Sequence, residues 1–368
     1  MINDKCECGG RISLGKPRIH QKIDLPEIKP HVTNYHIERG RCLSCKKRKS
    51  GSLPVGVEPD LFGPRIKAVI GSLSGFYKNS KRDVEAILKD IFNVRISLGT
   101  ISNNEERISK KCQASYENIE LELSYAPLLQ IDETSHYKKG KLGWCWGFFS
   151  EKASLIKLAD SRGKKVLKDS VFGTKDQIIT SDRYAVYNYF AEENRQICWA
   201  HLRRDFERFA NSSHNEIKRI GEYLGLVACE LFGLKKALSD EKIDAWRFLR
   251  RVRILRKRTW HYLKNLSYLQ NAKQATRIAK NMMKSENMMW KFMDNPEFIP
   301  LTNNHAEQQL RHYVTYRKNS YFVQSERGER FLGAYHIALP HFKKTTAKSS
   351  LNPTKLNRRL NKLQKPRG

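Results

Sequence analysis

The sequence predicts an α/β fold in which a long helical insertion interrupts the strands. Short apolar segments typical of strands follow Pro127, and a helical stretch and one more strand come after them. From Ala200 to Met293 the pattern changes to long amphipathic helices without a convincing strand. A segment rich in Gly, Pro and Cys and a set of short helices precede both parts. A chain of 368 residues has room for two or three domains.

The composition favours a folded protein with a polyanionic partner. The chain carries 69 Lys and Arg against 38 Asp and Glu, a formal net charge of +31, and 39% of its residues are hydrophobic. That apolar content is enough for a core, whereas the excess charge repels itself unless a polyanion neutralises it. The longest apolar run, Trp144 to Phe149, is too short to cross a bilayer, and we do not expect Met1 to Gly10 to act as a signal peptide. We therefore expect a cytoplasmic, nucleoid-associated protein with no membrane partner.

Residues 1–53 contain two close pairs of cysteines, Cys6 with Cys8 and Cys42 with Cys45. Four thiolates satisfy tetrahedral Zn²⁺, and this segment has too few apolar residues to build a core of its own. The alternative is four incidental reduced thiols. The pattern predicts a zinc-binding segment over residues 1–53.

Within an expected domain of residues 54–124, apolar residues recur at helical spacing from Gly63 to Lys111 and predict three short helices, with Ser80 and Ser97 at N-cap positions. Residues 84–107 have the outline of a helix-turn-helix, with the turn at 92–95. We therefore expect a DNA-binding domain here, unless the last helix is packed wholly on its neighbours. The candidates in that helix to contact base edges are Ser102, Asn103, Asn104 and Arg107.

The α/β part is predicted in two pieces around the insertion. The first piece covers residues 125–210, the helical insertion 211–298 and the last piece 299–342, and a basic tail follows over 343–368. That tail holds nine Lys or Arg and no acidic residue, which predicts a mobile basic arm. The predicted strands are Leu128–Ile131, Gly143–Phe149, Leu155–Leu158 and Gln177–Thr180, with a possible helix from Lys164.

Three acidic residues lie where predicted elements begin or end. Asp132 ends one apolar strand, Asp182 ends another, and Glu307 lies just inside a helix. Carboxylates at the ends of neighbouring strands, with a third from a helix, can hold two divalent ions about 4 Å apart for phosphoryl transfer. Each residue also has an ordinary alternative: an Asx-turn at Asp132, a helix cap at Asp182, and a capping box of Asn304 with Glu307.

Several segments in order and spacing carry a family signature. They are Ile131–Thr134, Thr180–Tyr187, Cys198–Asp205, Leu301–Arg311, Arg317–Ser320 and Gln324–Gly328. Together they resemble the insertion-sequence-66 family of bacterial transposases over most of residues 6–342. The resemblance implies that Asp132, Asp182 and Glu307 form the acidic DDE triad of an RNase H-like domain that binds Mg²⁺ or Mn²⁺. It also implies that the helical segment is the insertion such enzymes carry and that the N-terminal cysteines are the family's zinc-binding segment.

The function implied by this resemblance is transposition. The protein is then expected to bind insertion-sequence ends and target DNA, to cleave and join strands by a two-metal mechanism, and to form a homo-oligomer on DNA. Accessory proteins encoded by the same element are possible partners. The alternatives are a truncated, inactive DNA-binding remnant or repressor, and a nuclease of the same fold that does not join strands.

Two further sets of residues are candidates for supporting roles. Cys198 and His201 resemble the Cys-x-x-His element of many DDE enzymes, and we expect them to brace a strand-to-helix junction, with Cys198 packed and His201 hydrogen-bonded. The basic stretch 246–263 is a solvated helix face or, given the net charge, a phosphate-contacting face. The expected DNA contacts there are Arg250, Arg251 and Lys257, and those after Glu307 are Arg311, Arg317 and Lys318.

Overall fold

The computed structural model describes residues 6–13, 15–16, 18–170 and 177–334. These residues form two compact units. One unit comprises the residues up to 58 together with 86–95, and the other comprises 59–85 with the residues from 96 onward. The basic tail expected over 343–368 lies outside the described residues, as does the end of the piece expected over 299–342.

The first unit contains a short antiparallel hairpin. Strands β1 (Arg39–Arg41) and β2 (Arg48–Ser50) pair with Arg39 opposite Ser50, and all of their residues are exposed. The chain reverses between them through Lys46, which has a positive φ of 58°. The hairpin therefore gains no stability from buried side chains of its own.

Among the described residues, four α-helices precede the main sheet: α1 (Pro64–Gly71), α2 (Lys81–Asp90), α3 (Leu98–Lys111) and α4 (Gln113–Ser124). The two predicted N-caps are confirmed. Ser97 accepts a hydrogen bond from the backbone N–H of Thr100 at 3.3 Å. Ser80 and Asp83 cap each other's backbone N–H groups at 3.1 and 3.2 Å, which satisfies donors that a helix start leaves unpaired.

A five-stranded mixed sheet forms the centre of the second unit, in the order β5-β4-β3-β6-β7. Strands β3, β4 and β5 are antiparallel neighbours, whereas β6 and β7 run parallel to β3. The prediction that a strand ends at Asp132 is wrong, because β3 continues past it and pairs with β4 from Gln130 to Lys138. The strands are β3 (Leu128–Lys138), β4 (Lys141–Phe149), β5 (Ser154–Ala159), β6 (Ile178–Ser181) and β7 (Arg195–Ile197).

Both faces of the sheet are covered by helices. Alternation along β3 sends Leu129 and Ile131 into a core with α4 and the short helix α5 (Lys164–Lys168). The opposite face packs against α11 (Asn304–Ser320) through a core that includes Phe149 and Leu310. Side chains at alternate positions of β3 therefore face different helices.

The segment between β7 and α11 is helical, as the sequence predicts. Its helices are α6 (Trp199–Ala210), α7 (Asn215–Ser239), α8 (Ala245–Ser267), α9 (Lys273–Lys284) and α10 (Glu286–Met289). They share one apolar core, and α6 and α7 approach closely at Gly221, where an added Cβ would lie 2.2 Å from the backbone nitrogen of Ala210. Among the described residues, no helix is long and apolar enough to cross a membrane.

Candidate active site

Asp132 lies near the middle of β3, on the face covered by α11. Gln130, two residues earlier on the same face, accepts a hydrogen bond from the backbone N–H of Ala306 at 3.4 Å. Gly147 is the partner of Asp132 across the β3–β4 ladder. A Cβ at Gly147 would lie 2.4 Å from the Phe149 ring and 3.1 Å from Leu310. The glycine therefore lets α11 approach the strand that carries Asp132.

Asn303 fixes the start of α11 to the sheet. Its side-chain Nδ2 donates to the carbonyl oxygen of Ile131 at 2.8 Å, and its backbone N–H donates to Sγ of Cys198 at 3.2 Å. Asn303 is only 1% exposed. Its carbonyl oxygen accepts the N–H of Glu307 at 3.1 Å, in the first turn of the helix. One buried residue thus connects the strand of Asp132, the end of β7 and the helix of Glu307.

Asp182 follows the last residue of β6. Its Oδ1 accepts the backbone N–H of Tyr184 at 2.9 Å, which is an Asx-turn ahead of a short 3₁₀ helix at Ala185–Tyr189. The turn precedes the helix and does not cap it, because the N-cap residue is Tyr184, which receives no side-chain cap. The turn uses one carboxylate oxygen and leaves the second available for other contacts.

Electrostatics join the three acidic residues into one group. Burial raises the pKa of Asp132 to about 7, and repulsion from Glu133, Asp182 and Glu307 adds to the effect. Glu307 itself lies 3.7 Å from Nη2 of Arg204 and 4.0 Å from Nδ1 of His201. A partly buried carboxylate surrounded by like charges is an environment that a divalent cation stabilises. The donor set therefore fits a metal, although no three acidic, His or Cys side chains among the described residues already stand in ligand geometry.

Glu133, which the sequence analysis did not identify, lies on the opposite face of β3 from Asp132. Its Oε1 accepts hydrogen bonds from Nη2 and Nε of Arg162 at 2.6 and 2.9 Å. The Tyr187 hydroxyl donates a hydrogen bond to the other carboxylate oxygen of Glu133. The Arg162 guanidinium lies 3.9 Å from the ring centroid of Tyr184. Burial raises the pKa of Glu133, although these bonds oppose that change. The adjacent acidic pair Asp132-Glu133 was the signal in the sequence.

Cys198 and His201 lie at the junction of β7 and α6, where the sequence places them. Cys198 is buried, and burial raises the pKa of its thiol. The predicted hydrogen bond of His201 is not made by Nδ1, which is buried without a partner within the described residues. The reason is its position, since Glu307 is the nearest charged acceptor and remains 4.0 Å away. Burial and the charge of Arg204 lower the pKa of His201.

The candidate base-reading residues of α3 are engaged in contacts within the protein. Asn104 is buried and donates to the carbonyl oxygen of Lys67 at 3.0 Å. Arg107 forms an ion pair with Asp60 at 2.7 Å, which lowers the pKa of Asp60 to about 2. Asn103 is exposed and accepts from Arg327 at 3.0 Å, and Ser102 accepts from Lys81 at 2.7 Å. These contacts favour the packed-helix alternative for this face of α3.

Two of the predicted phosphate contacts, Arg317 and the exposed Arg251, are engaged within the protein. Arg317 donates to the hydroxyls of Thr134 and Ser135 at 3.0 and 3.1 Å and so braces β3. Arg251 forms an ion pair with Glu230 at 2.7 Å. The remaining candidates are exposed: Arg250, Lys257, Arg311 and Lys318.

The two cysteine pairs lie in separate exposed turns of the first unit. In one, the N–H of Gly9 donates to the carbonyl oxygen of Cys6 at 2.8 Å, and in the other Lys46 donates to Cys42 at 2.9 Å. Backbone hydrogen bonds lower the pKa of Cys8 and of Cys42, which favours thiolates. Within the described residues, however, the four thiols do not come together as one ligand set.

Comparison with known families agrees with the sequence signature. The model of the family described as Transposase IS66 family matches residues 81–330, which is more than half of the chain. Among curated proteins, no relative matches the chain. The match includes β3, β6, the helical segment and α11, and therefore all three carboxylates. The chain belongs to the IS66 family of transposases.

Proposed function

We propose that the protein is a DNA transposase that binds insertion-sequence ends and cleaves and joins DNA strands. The observation that carries this proposal is the hydrogen bond by which Asn303 joins the start of α11 to β3. It places Glu307 where its charge, like that of Asp182, acts on Asp132. A three-strand antiparallel meander followed by two parallel strands supports an RNase H-like domain as the scaffold. The helical segment of α6 to α10 is then its insertion.

Asp132, Asp182 and Glu307 would hold Mg²⁺ or Mn²⁺ through carboxylate oxygens. Two such ions, when bound, supply Lewis-acid stabilisation of the attacking and departing oxygens of a phosphodiester. The protein's own contribution is to fix the carboxylates on rigid elements: a central strand, an Asx-turn and the first turn of a helix. Arg204, close to Glu307, adds a positive charge where a DNA phosphate would enter.

The alternative, an inactive DNA-binding remnant, is less well supported. A carboxylate whose pKa is raised to about 7 by burial and by like charges lowers the stability of the fold at neutral pH. DNA binding alone gives no reason to keep such a destabilising carboxylate. A metal-dependent nuclease keeps it because the carboxylate binds the metal. A nuclease that hydrolyses DNA without joining strands would use the same three carboxylates, and the products of the reaction distinguish it from a transposase.

We also propose one Zn²⁺ bound by Cys6, Cys8, Cys42 and Cys45, because both turns favour thiolates and the segment has little core of its own. A helix-turn-helix role for α2 and α3 remains a prediction. Two DNA ends must be held together for joining, so we expect a homo-oligomer on DNA, with accessory proteins of the same element as further partners.

The decisive experiment is incubation of the full-length protein with labelled candidate element ends and Mg²⁺. A transposase gives both nicks at 3′ ends and joined products. A nuclease gives nicks alone, and a remnant gives retarded complexes without either. Replacement of Mg²⁺ by Ca²⁺ in a parallel reaction separates binding from cleavage, since Ca²⁺ takes oxygen ligands in looser geometry.

A further inference from the structure

Helix α8 divides its side chains between two faces. Phe248, Val252, Leu255 and Leu263 enter the apolar core of the helical segment. With 3.6 residues per turn, the opposite face carries a different set of side chains in one continuous stripe. We call this set the outer stripe, and its members are Trp246, Arg250, Arg253, Lys257, Trp260 and Lys264.

Cationic side chains on the flanks of α8 form ion pairs within the protein. Arg251 and Arg258 lie 2.7 and 3.9 Å from Glu230 of α7, and Arg256 lies 2.7 Å from Glu286 of α10. The cations of the outer stripe form no ion pair within the part of the chain that the structure describes, and α8 itself has no acidic residue. Their charge is therefore directed outward, toward a polyanion.

The outer stripe also exposes two indole rings. Trp246 is 64% exposed and Trp260 is 40% exposed. The guanidinium of Arg250 lies 5.6 Å from the ring centroid of Trp246. At 1.5 Å per residue the two tryptophans are about 21 Å apart along the helix, which is about six nucleotides at the stacked spacing of 3.4 Å per strand.

From this combination we infer that the outer stripe of α8 binds unpaired, single-stranded DNA, with the indoles stacked on bases and the cations on phosphates. In a duplex the faces of the bases are covered by their neighbours, so an exposed indole gains little from it. An unpaired strand offers both free base faces and phosphates, and stacking on an aromatic side chain contributes about 1–3 kcal/mol per base. The inference uses the family's DNA substrate and does not depend on the catalytic assignment.

The test compares two labelled DNAs with the full-length protein by fluorescence anisotropy at one salt concentration. The probes are a 20-nucleotide oligo(dT) and a 20-base-pair duplex. The double variant Trp246→Ala/Trp260→Ala is expected to bind oligo(dT) at least about tenfold more weakly and the duplex less than about twofold more weakly. The matched control Tyr125→Ala removes a comparably exposed aromatic at the end of α4 and should change neither affinity.

Two further arms keep the result interpretable. Trp→Phe at both positions retains a stacking ring and should restore most of the oligo(dT) affinity, whereas Trp→Leu should not. Anionic lipid vesicles test whether the stripe is instead a membrane-surface helix. Unchanged oligo(dT) binding in the alanine variant, equal loss on both DNAs, or a loss confined to vesicles would each overturn the inference. Absence of DNA cleavage by the unmodified protein would refute the proposed activity and leave this binding result unaffected.

Discussion

The side-chain amide of Asn303 donates to the carbonyl oxygen of Ile131 at 2.8 Å, one residue before Asp132. The bond joins positions 172 residues apart in sequence and sets where α11 meets β3. Glu307 lies on the first turn of that helix, so its position relative to Asp132 depends on this contact. Asn303 is therefore a positioning residue for the proposed site.

Asn303→Ala is expected to lower stability by about 1–3 kcal/mol, because it leaves a buried carbonyl oxygen without its donor. The rate of DNA cleavage should fall by more than the loss of folded protein explains, since Glu307 loses its fixed position. The control is Asn319→Ala, which removes an exposed Asn that donates to the carbonyl oxygen of Lys78 at 3.3 Å. Urea unfolding and the cleavage assay give the two readouts. Equal small effects of both variants would mean that Asn303 has no positioning role.

Asp182→Asn should abolish most cleavage and preserve DNA binding. An Asn side chain can still accept the N–H of Tyr184, so the turn after β6 remains, but the amide is a poor ligand for Mg²⁺. We expect cleavage to fall by orders of magnitude while the retarded complex with element ends persists. Asp169→Asn, at an exposed carboxylate, is the control and should cleave normally. Normal cleavage by Asp182→Asn would refute its role as a ligand.

The sequence predicted the helical segment, the two serine N-caps and four of the five strands of the sheet, because these depend on local sequence patterns. It ended β3 too early, since Asp132, Glu133 and Thr134 are polar and only their pairing with β4 makes them a strand. Asn303 could not be identified, because its function depends on a contact with Ile131 made through the tertiary fold. Likewise, nothing local distinguishes an exposed Arg250 from an ion-paired Arg251.

Gly147→Ala tests the close approach of α11 to the sheet. The added Cβ would meet the buried ring of Phe149 at 2.4 Å, so we expect a loss of about 1–3 kcal/mol in unfolding free energy. Gly225→Ala is the matched control: that glycine lies within α7 and has open space around it. The control should raise stability by about 0.5–1 kcal/mol through helix propensity. A stable Gly147→Ala variant would show that α11 has room to move.

Zinc removal should affect the N-terminal segment selectively. Full-length reduced protein is expected to contain about one equivalent of Zn²⁺ by elemental analysis. A chelator, or Cys42→Ser, should make residues 1–53 sensitive to protease and leave the α/β part folded. Cys229→Ser removes an exposed single thiol and should leave zinc content unchanged. Protein with less than about half an equivalent of zinc would contradict the site.

The pH dependence of stability tests the environment of Asp132. Its pKa is raised to about 7 in the folded protein from an ordinary value of 3.8, so the folded state binds more protons between these values. Stability from this group is therefore full below about pH 4 and is lost as the pH rises toward 7. In the presence of EDTA, Asp132→Asn should flatten this decline and exceed the unmodified protein in stability above pH 7, by on the order of 1–4 kcal/mol.

The effect of Mg²⁺ on the melting temperature is the complementary measurement. A cation bound by ionised Asp132, Asp182 and Glu307 removes the repulsion that destabilises the site, so Mg²⁺ should raise the melting temperature of the unmodified protein at pH 8 and have little effect at pH 5. Asp132→Asn should respond weakly at both values, whereas Asp169→Asn should respond like the unmodified protein. A pH-independent effect of Mg²⁺, or the same effect in Asp132→Asn, would mean that the cation acts elsewhere on the protein. Such a result would refute Mg²⁺ binding by these three carboxylates, even if DNA cleavage required Mg²⁺.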